Sequence, residues 1–469
     1  GQVTLKGSAG NDTLLGSAGD DVIDGGTGFD QIEQTVDGDQ VLTSSSLTGR
    51  GNDILSNIEW AVLTGGVSDN TLDALGFDAG SVTLAGGDGN DTLHGSPGDD
   101  RIEGGDGTDL VVSSGDVDQV LSDTTIAGAG NDVLADIETA HLTGGDSANS
   151  LDASGFGGNT TLEGGDGDDT LLGGSGIDLL LQIADADQVL TATSLTGLGQ
   201  NTLANIDQAR LVGGESNNIL DATAFTPGPV TLDGAGGDDT LFGSAGDDNP
   251  QGGTGTDRVV STGTTNQVLT DTSLIADSND TLAAIEEAEL FGTSTDNFLD
   301  ASGFSGDTTL HASDGDDTLA GGIGTDLVRQ TIDADQSVSD SQLTGQGTDQ
   351  LTGIELAWLT GGSNDNTLDA SGFSAGGVTL DGSDGNDTLT GGSGDDQLIG
   401  GDGIDQVRQD SDNDQVLTDS LLTGEGDDGL AGIEEGELNG GGGNNLLDAT
   451  GFTSGSVTLS GLTGDDTLR

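Results

Sequence analysis

The sequence lacks cysteine and methionine, and its 469 residues include only two tryptophans and four prolines. The absence of cysteine excludes disulfides and thiolate metal sites. No run of 18 apolar residues occurs, so the sequence predicts no membrane-spanning segment. Lys and Arg together number only eight. Nucleic acid and anionic membrane surfaces are therefore poor partners, because phosphate binding needs these residues.

Acidic residues dominate the charge. There are 84 of them, and the formal net charge is −76. Low hydrophobicity with high net charge is typical of disorder, and self-repulsion opposes a compact state. However, the acidic residue is mostly Asp, and Asp recurs at fixed spacings beside Gly. Such a register is expected where carboxylates bind a hard divalent cation.

A long repeat is built on the segment N-x-L-D-A-x-x-F, whose copies are separated alternately by 79 and 69 residues. Its asparagine falls at Asn70, Asn149, Asn218, Asn297, Asn366 and Asn445, and its phenylalanine at Phe77, Phe156, Phe225, Phe304, Phe373 and Phe452. We interpret the asparagines as turn or ladder residues and the phenylalanines as core. We predict one continuous solenoid array over 1–469, with units at about 3–81, 82–159, 160–229, 230–307, 308–377 and 378–456 and a partial unit at 457–469.

Each unit contains nine-residue blocks of the form G-[GS]-x-G-x-D-x-[LIV]-x. The long units have three Gly-led blocks, whereas the runs that start at Gly164 and Ala312 have two. Deletion in whole blocks is typical of a solenoid. The Gly-rich first six residues predict a turn, and the last three predict a short strand with one inward side chain. Two blocks then make one coil, so residues 18 apart stack.

The rest of each unit, Asp39 to Gly66 in the first, has irregularly spaced apolar residues. We predict wider solenoid coils here. The alternative is a short helix over I-E-x-A-x-L, but six residues between Gly-rich turns are too few for a stable isolated helix. Trp60 and Trp358 occupy different positions of this segment, which indicates an outward-facing site. A carbohydrate-binding role for them is the alternative.

The nine-residue block resembles the RTX, or haemolysin-type, calcium-binding repeat. Good copies are Gly86 to His94, Gly104 to Val112, Gly391 to Ile399 and Gly400 to Arg408. The resemblance implies an all-β fold, a right-handed parallel β-solenoid (β-roll) with calcium-binding turns. It also implies calcium between stacked turns, held by turn carbonyls and the sixth-position Asp. Proteins of this kind are usually exported unfolded and fold outside the cell in calcium.

The residues predict the same cation sites, because one turn offers too few oxygens for calcium and two stacked turns offer enough. Separation by 18 pairs Asp12 with Asp30, Asp21 with Asp39, Asp91 with Asp109, Asp100 with Asp118, Asp169 with Asp187, Asp239 with Asp257, Asp317 with Asp335, Asp387 with Asp405, and Asp396 with Asp414. We expect the turn glycines Gly7, Gly25, Gly86, Gly104, Gly382 and Gly400 to contribute to multiple Ca²⁺ sites. Turns that have lost the leading Gly, at Asp39, Asp118, Asp187, Asp335 and Asp414, are predicted to bind less strongly. The poorest pair is Asp248 with Asn266, where Pro250 also replaces the inward aliphatic residue.

No catalytic motif fits its structural context. Gly372 to Gly376 matches G-x-S-x-G, and Gly424 to Gly429 matches G-x-G-x-x-G, but neither joins a long strand to a helix. The three histidines fall at unequal positions of the repeat. The sequence therefore predicts no enzyme.

These features predict a secreted structural protein, extracellular or on a cell surface, that calcium rigidifies into a rod: a surface layer, sheath, fibre or adhesin stalk. The alternatives are an adhesin that binds polysaccharide or ice, and a secretion module of a larger exported enzyme. The sequence begins and ends within repeat units, so we also expect a longer array or association with further copies, end to end or side by side.

Overall fold

The computed structural model describes residues 1–469 and consists of β-strands and turns. The prediction of an all-β parallel solenoid is confirmed. The segment I-E-x-A-x-L, for which a helix was the alternative, contributes a strand, Trp60–Thr64 in the first unit. No helix is present that could cross a membrane.

The chain divides into two compact parts, Gly1–Asp233 and Gly234–Arg469. The strands that begin in the first part are β1 (Thr4–Ala9), β2 (Thr13–Leu14), β3 (Val22–Thr27), β4 (Gln31–Thr35), β5 (Gln40–Thr43), β6 (Ser46–Thr48), β7 (Asn52–Ser56), β8 (Trp60–Thr64), β9 (Thr71–Gly76), β10 (Ser81–Asp88), β11 (Thr92–His94), β12 (Arg101–Asp106), β13 (Leu110–Ser114), β14 (Gln119–Ser122), β15 (Thr125–Ala127), β16 (Asn131–Ala135), β17 (Thr139–Gly145), β18 (Ser150–Gly155), β19 (Asn159–Gly165), β20 (Thr170–Leu172), β21 (Asp178–Ile183), β22 (Gln188–Thr191), β23 (Ser194–Thr196), β24 (Gln200–Ala204), β25 (Gln208–Val212), β26 (Ile219–Ala224) and β27 (Val230–Gly236).

The strands of the second part are β28 (Thr240–Phe242), β29 (Asn249–Thr254), β30 (Arg258–Ser261), β31 (Gln267–Thr270), β32 (Ser273–Ile275), β33 (Asn279–Thr281), β34 (Glu287–Phe291), β35 (Phe298–Gly303), β36 (Asp307–His311), β37 (Thr318–Ala320), β38 (Leu327–Thr331), β39 (Gln336–Ser339), β40 (Gln342–Thr344), β41 (Thr348–Thr352), β42 (Leu356–Thr360), β43 (Thr367–Gly372), β44 (Val378–Asp381), β45 (Thr388–Thr390), β46 (Gln397–Ile399), β47 (Gln406–Asp410), β48 (Gln415–Thr418), β49 (Leu421–Thr423), β50 (Asp427–Ala431), β51 (Glu435–Asn439), β52 (Leu446–Gly451), β53 (Ser456–Ser460) and β54 (Thr467–Leu468).

Gly-led blocks stack in parallel at a separation of 18 residues, as predicted. Leu5 lies opposite Ile23 and Leu14 lies opposite Ile32, in two different sheets of the first part. In the second part Leu389 lies opposite Val407. Each block turns its single aliphatic residue inward, because strand side chains alternate between the two faces. The aliphatic residues of stacked blocks therefore form the core.

The predicted wider coils are instead an antiparallel insertion, which the sequence analysis missed. Strands β5, β6 and β7 run alternately up and down, with Leu42 opposite Leu47 and Leu47 opposite Asp53. Strand β7 pairs in parallel with β3, and β5 pairs in parallel with β9. The insertion lengthens the step from β3 to its stacked neighbour to 32 residues, since Val22 lies opposite Ile54.

The number of blocks decides which sheet receives an insertion. In the first part, three blocks separate β5–β7 from β14–β16, and the two insertions lie in opposite sheets. Two blocks separate β14–β16 from β22–β24, and these share a sheet. In the second part β31–β33 and β39–β41 share a sheet after two blocks, and β48–β50 changes sheet after three. Because one block is half a coil, an odd number of blocks moves the next insertion to the other face.

A buried glutamine ties each insertion to the coil beside it. Gln40, from the D-Q-V-L segment, is fully buried, and its Nε2 donates to the carbonyl oxygen of Thr64 at 2.8 Å. Its Oε1 accepts a hydrogen bond from Gln34 at 3.0 Å. The corresponding glutamines are Gln119, Gln188, Gln267, Gln336 and Gln415, and each donates to a carbonyl 24 residues later. Phe77 is also fully buried.

Candidate metal centres

The turn Gly86–Asp91 illustrates the conformation of the first and third blocks of each long unit. Gly87 has a positive φ of 111°, which glycine adopts at little cost. Oδ1 of Asp91 accepts the N–H of Asn70 at 2.7 Å. Its Oδ2 is buried and has no hydrogen-bond partner. We call this arrangement an open turn, because one carboxylate oxygen remains available inside the protein.

The leading glycine of an open turn faces oxygens from two stacked turns. A Cβ atom added to Gly86 would lie under 3.0 Å from Oδ2 of Asp91 and from the carbonyl oxygen of Gly104. Any side chain here would therefore displace one of them. The same pair of contacts recurs at Gly7, Gly234 and Gly382. A carboxylate and a carbonyl oxygen that converge in this way suit a hard cation such as calcium.

Open turns stack in pairs in the four long units. The N–H groups of Asp12, Asp91, Asp239 and Asp387 donate to Oδ1 of Asp30, Asp109, Asp257 and Asp405, respectively, each at 2.8 Å. Buried Oδ2 atoms without a hydrogen-bond partner belong to Asp12, Asp30, Asp91, Asp109, Asp257, Asp387 and Asp405. The structure thus brings these predicted residues together in pairs.

Six segments of the chain match the model of the family described as RTX calcium-binding nonapeptide repeat (4 copies): residues 4–32, 83–120, 154–180, 231–259, 302–329 and 379–407. The chain carries RTX calcium-binding repeats. RTX nonapeptide repeats bind calcium, and all four stacked pairs lie within the matched segments. No curated protein matches the chain.

Electrostatics within the RTX turns favour a cation. Burial raises the pKa of Asp91 and of Asp109, and the neighbouring negative charges raise both further. Burial, followed by the charge of Asp405, raises the pKa of Asp387 to about 6. A bound divalent cation would stabilise the charged carboxylates. The structure has no group of three or more His, Cys, Asp or Glu side chains suited to a metal ion. Main-chain carbonyls are therefore essential to any site here.

Five predicted pairs are not brought together: Asp21 with Asp39, Asp100 with Asp118, Asp169 with Asp187, Asp317 with Asp335, and Asp396 with Asp414. The antiparallel insertion displaces each second partner, so the stacked residue lies 32 positions onward rather than 18. The N–H groups of Asp21, Asp100, Asp169, Asp317 and Asp396 donate to side-chain oxygens of Asp53, Asp132, Asn201, Asp349 and Asp428. Likewise Asp248 contacts Asp280 at 2.9 Å instead of Asn266.

The displaced partners begin the next parallel strand instead. Oδ1 of Asp39 accepts the N–H of Thr71 at 2.9 Å. Asp118, Asp187, Asn266, Asp335 and Asp414 make the equivalent contact with Ser150, Ile219, Phe298, Thr367 and Leu446. These side chains are exposed or lie at the surface. They secure the start of a strand and do not face the RTX turn with which they were paired.

The middle block of each long unit forms a closed turn, in which the second carboxylate oxygen is already used. Oδ2 of Asp21 accepts the N–H of Ser17 at 2.5 Å, and Oδ2 of Asp100 accepts that of Ser96 at 2.6 Å. Asp248 and Asp396 make the same contact with Ser244 and Gly392. A closed turn therefore offers a cation less than an open turn does.

The sequence analysis missed the buried acids of the insertions, Asp53, Asp132, Asp280, Asp349 and Asp428. Burial raises the pKa of Asp428 to about 7, with a further contribution from the charge of Asp396. A signal for these residues exists, because the insertion contains T-G-R-G-N-D-I-L. From Gly49 onward this repeats the G-x-G-x-D-x-L core of the RTX block.

Proposed function

We propose that this chain is a calcium-stabilised structural rod of an extracellular protein, such as a surface layer, sheath, fibre or adhesin stalk. It would fold on binding calcium after export. RTX repeat proteins are typically exported and mostly non-catalytic. The rod would associate with other copies of the chain, end to end or side by side.

The stacked open turns carry this proposal. They bury carboxylates in pairs within a chain of net charge −76. A buried carboxylate without a compensating partner is costly, and two together are worse. Calcium would remove this cost only in the folded state, so its binding free energy would become folding free energy. A chain of this kind can remain unfolded where calcium is scarce and fold where it is abundant.

Serine in the G-x-S-x-G match supports a structural role rather than catalysis. Oγ of Ser374 donates to Oδ2 of Asp340 at 2.6 Å, and the N–H of Ser374 donates to Oδ1 of the same residue. Asp340 lies in the loop between β39 and β40. These contacts hold two loops together, and the pKa of Asp340 is lowered by the bonds from Ser374.

Calcium removal tests the proposal. We expect the chain to give a β-type circular dichroism spectrum in calcium and a disordered spectrum after chelation at neutral pH. Added calcium should restore the β signal, whereas magnesium, which demands a regular octahedral shell, should not. A β spectrum that survives prolonged dialysis against chelator would contradict calcium-dependent folding. Electron microscopy of the calcium-bound chain would show whether copies assemble into filaments.

One observation favours a second function, adhesion to polysaccharide. Phe291, His311, Arg329 and Trp358 lie opposite one another on four neighbouring strands of one sheet. The rings of Phe291 and His311 stack at 3.8 Å, and Arg329 lies 4.6 Å from the ring centre of Trp358. Planar side chains with polar edges are suited to sugars. Loss of polysaccharide binding in Trp358→Ala, with folding unchanged, would support this function.

A further inference from the structure

A second carboxylate lies beneath each lower RTX turn, outside all six matched segments. In the first unit the N–H of Asp30 donates to Oε2 of Glu59 at 2.9 Å. Glu59 belongs to the I-E-x-A-x-L segment. In the other long units Asp109, Asp257 and Asp405 donate in the same way to Glu138, Glu286 and Glu434, each at 3.0 Å. The lower aspartate thus lies between two acids, one above it and one below.

A main-chain carbonyl accompanies each of these glutamates. Asn57, two residues before Glu59, is left-handed with φ 52°. A Cβ atom added to Gly25 would lie under 3.0 Å from the carbonyl oxygen of Asn57 and from Oδ2 of Asp30. The equivalent left-handed residues are Asp136, Ala284 and Gly432, facing Gly104, Gly252 and Gly400. This repeats the arrangement of the upper turn, where the carbonyl comes from an RTX glycine.

An unused oxygen points into each of these places. Asp30, Asp109, Asp257 and Asp405 have no exposed surface, and their Oδ2 atoms are buried without a hydrogen-bond partner. Their Oδ1 atoms are already bonded to the aspartate above. The fifth unit differs, because Oδ2 of Asp326 accepts the N–H of Gly322 at 2.6 Å. That unit therefore provides an internal comparison.

We propose that each long unit binds a further calcium ion between its last RTX turn and the turn that follows β7, β16, β33 or β50. The ligands are Oδ2 of the lower aspartate, the carboxylate of the I-E glutamate and the carbonyl of the left-handed residue. Carboxylate and carbonyl oxygens in an irregular shell are the ligands that calcium prefers. The ion would offset the repulsion among Asp109, Asp136 and Glu138. It would also fasten the RTX blocks to the segment that carries the insertion.

The test compares two fourfold variants of the full chain. The first, E59Q/E138Q/E286Q/E434Q, keeps an oxygen that can accept each aspartate N–H but removes the charge. The control, D73N/D152N/D300N/D369N, removes four charges from outward positions whose Oδ1 accepts only the N–H two residues onward. Calcium is counted by elemental analysis after equilibration at a concentration that just saturates the unmodified chain. We expect four fewer ions in the first variant and no change in the control.

Equal calcium counts in the two variants would overturn the proposal. If the fourfold variant does not fold, single variants answer the same question. Glu138→Gln should lose one ion, whereas Glu355→Gln should lose none, because the adjacent Asp326 oxygen is already bonded. Equal losses in these two would also refute the site. The inference rests on the calcium-binding role proposed above, and an unmodified chain that binds no calcium would contradict that role instead.

Discussion

At the scale of single residues, the leading glycine and the sixth-position aspartate act together. Aspartate gives one oxygen to the turn above it and keeps the other free, while glycine leaves space for that free oxygen. The local sequence does not decide this conformation. Gly-Ser-Ala-Gly is open at Gly7, where Ser8 has φ 78°, and closed at Gly16, where Ser17 donates to Asp21. The stacked neighbours therefore determine which turns are open.

Substitution of a leading glycine should damage one calcium site. In Gly86→Ala the new methyl group would overlap Oδ2 of Asp91 and the carbonyl of Gly104. We expect a loss of one bound calcium ion and a destabilisation of about 1–3 kcal/mol, typical of overpacking. Thermal unfolding in saturating calcium and a calcium count measure both effects. Gly38→Ala is the control, because nothing lies within 4 Å of the added Cβ. Equal effects of the two substitutions would contradict this role of glycine.

Buried acids should make the calcium-free chain sensitive to pH. Folding raises the pKa of Asp387 to about 6 and of Asp428 to about 7, from an ordinary 3.8. The folded state then holds more protons than the unfolded state between these values, so its stability falls as pH rises through this window. Calcium-depleted chain should gain β-type circular dichroism between pH 8 and pH 5. A signal that stays flat or weakens on acidification would contradict this expectation.

At the scale of structural elements, the nine-residue block is half a coil. Blocks were predictable because their glycines, aspartates and aliphatic residues recur in strict register. The antiparallel insertion was not, because its three short strands lack the Asn-Gly or Asp-Gly turn that predicts a hairpin. Its apolar residues Leu42, Leu47 and Leu55 are also spaced irregularly. That omission caused the five wrong aspartate pairs, since the insertion changes a separation of 18 into 32.

Deletion of one block should convert a long unit into a short one. Without residues 95–103, the turns at Gly86 and Gly104 would fall on opposite sides, as those at Gly164 and Gly173 do. We expect the deleted chain to fold in calcium and to lose the site between Asp91 and Asp109. Deletion of residues 95–98 alone should prevent folding of that unit, because it breaks the register. Circular dichroism and a calcium count compare the two, and similar behaviour of both would refute the block as the unit of folding.

The glutamine of each insertion should contribute to stability independently of calcium. Gln40→Leu would leave the Thr64 carbonyl and the Gln34 amide without their partner inside the protein. Such loss costs about 1–3 kcal/mol. Thermal unfolding in saturating calcium should show the decrease, with an unchanged number of bound ions. Val41→Thr, at a neighbouring position that is 41% exposed, is the matched control. A decrease in Val41→Thr as large as in Gln40→Leu would rule out this contribution.

At the scale of the whole molecule, calcium resolves the contradiction between a compact fold and a net charge of −76. Composition alone predicts disorder, and the repeat alone predicts a solenoid. Both descriptions apply, to the chain without calcium and to the chain with it. Export in the unfolded form and folding outside the cell follow from the same property. The insertions change sheet with the number of blocks, so alternating long and short units distribute them over both faces.

The position of calcium in a crystal tests the account most directly. Anomalous scattering near the calcium edge would reveal the ions in a crystal grown with calcium. We predict strong peaks between Asp12 and Asp30, between Asp91 and Asp109, and at the corresponding pairs of the other long units. No peak should appear at the closed turns of Asp21 and Asp100. Peaks of equal height at open and closed turns, or none at the open ones, would contradict the account.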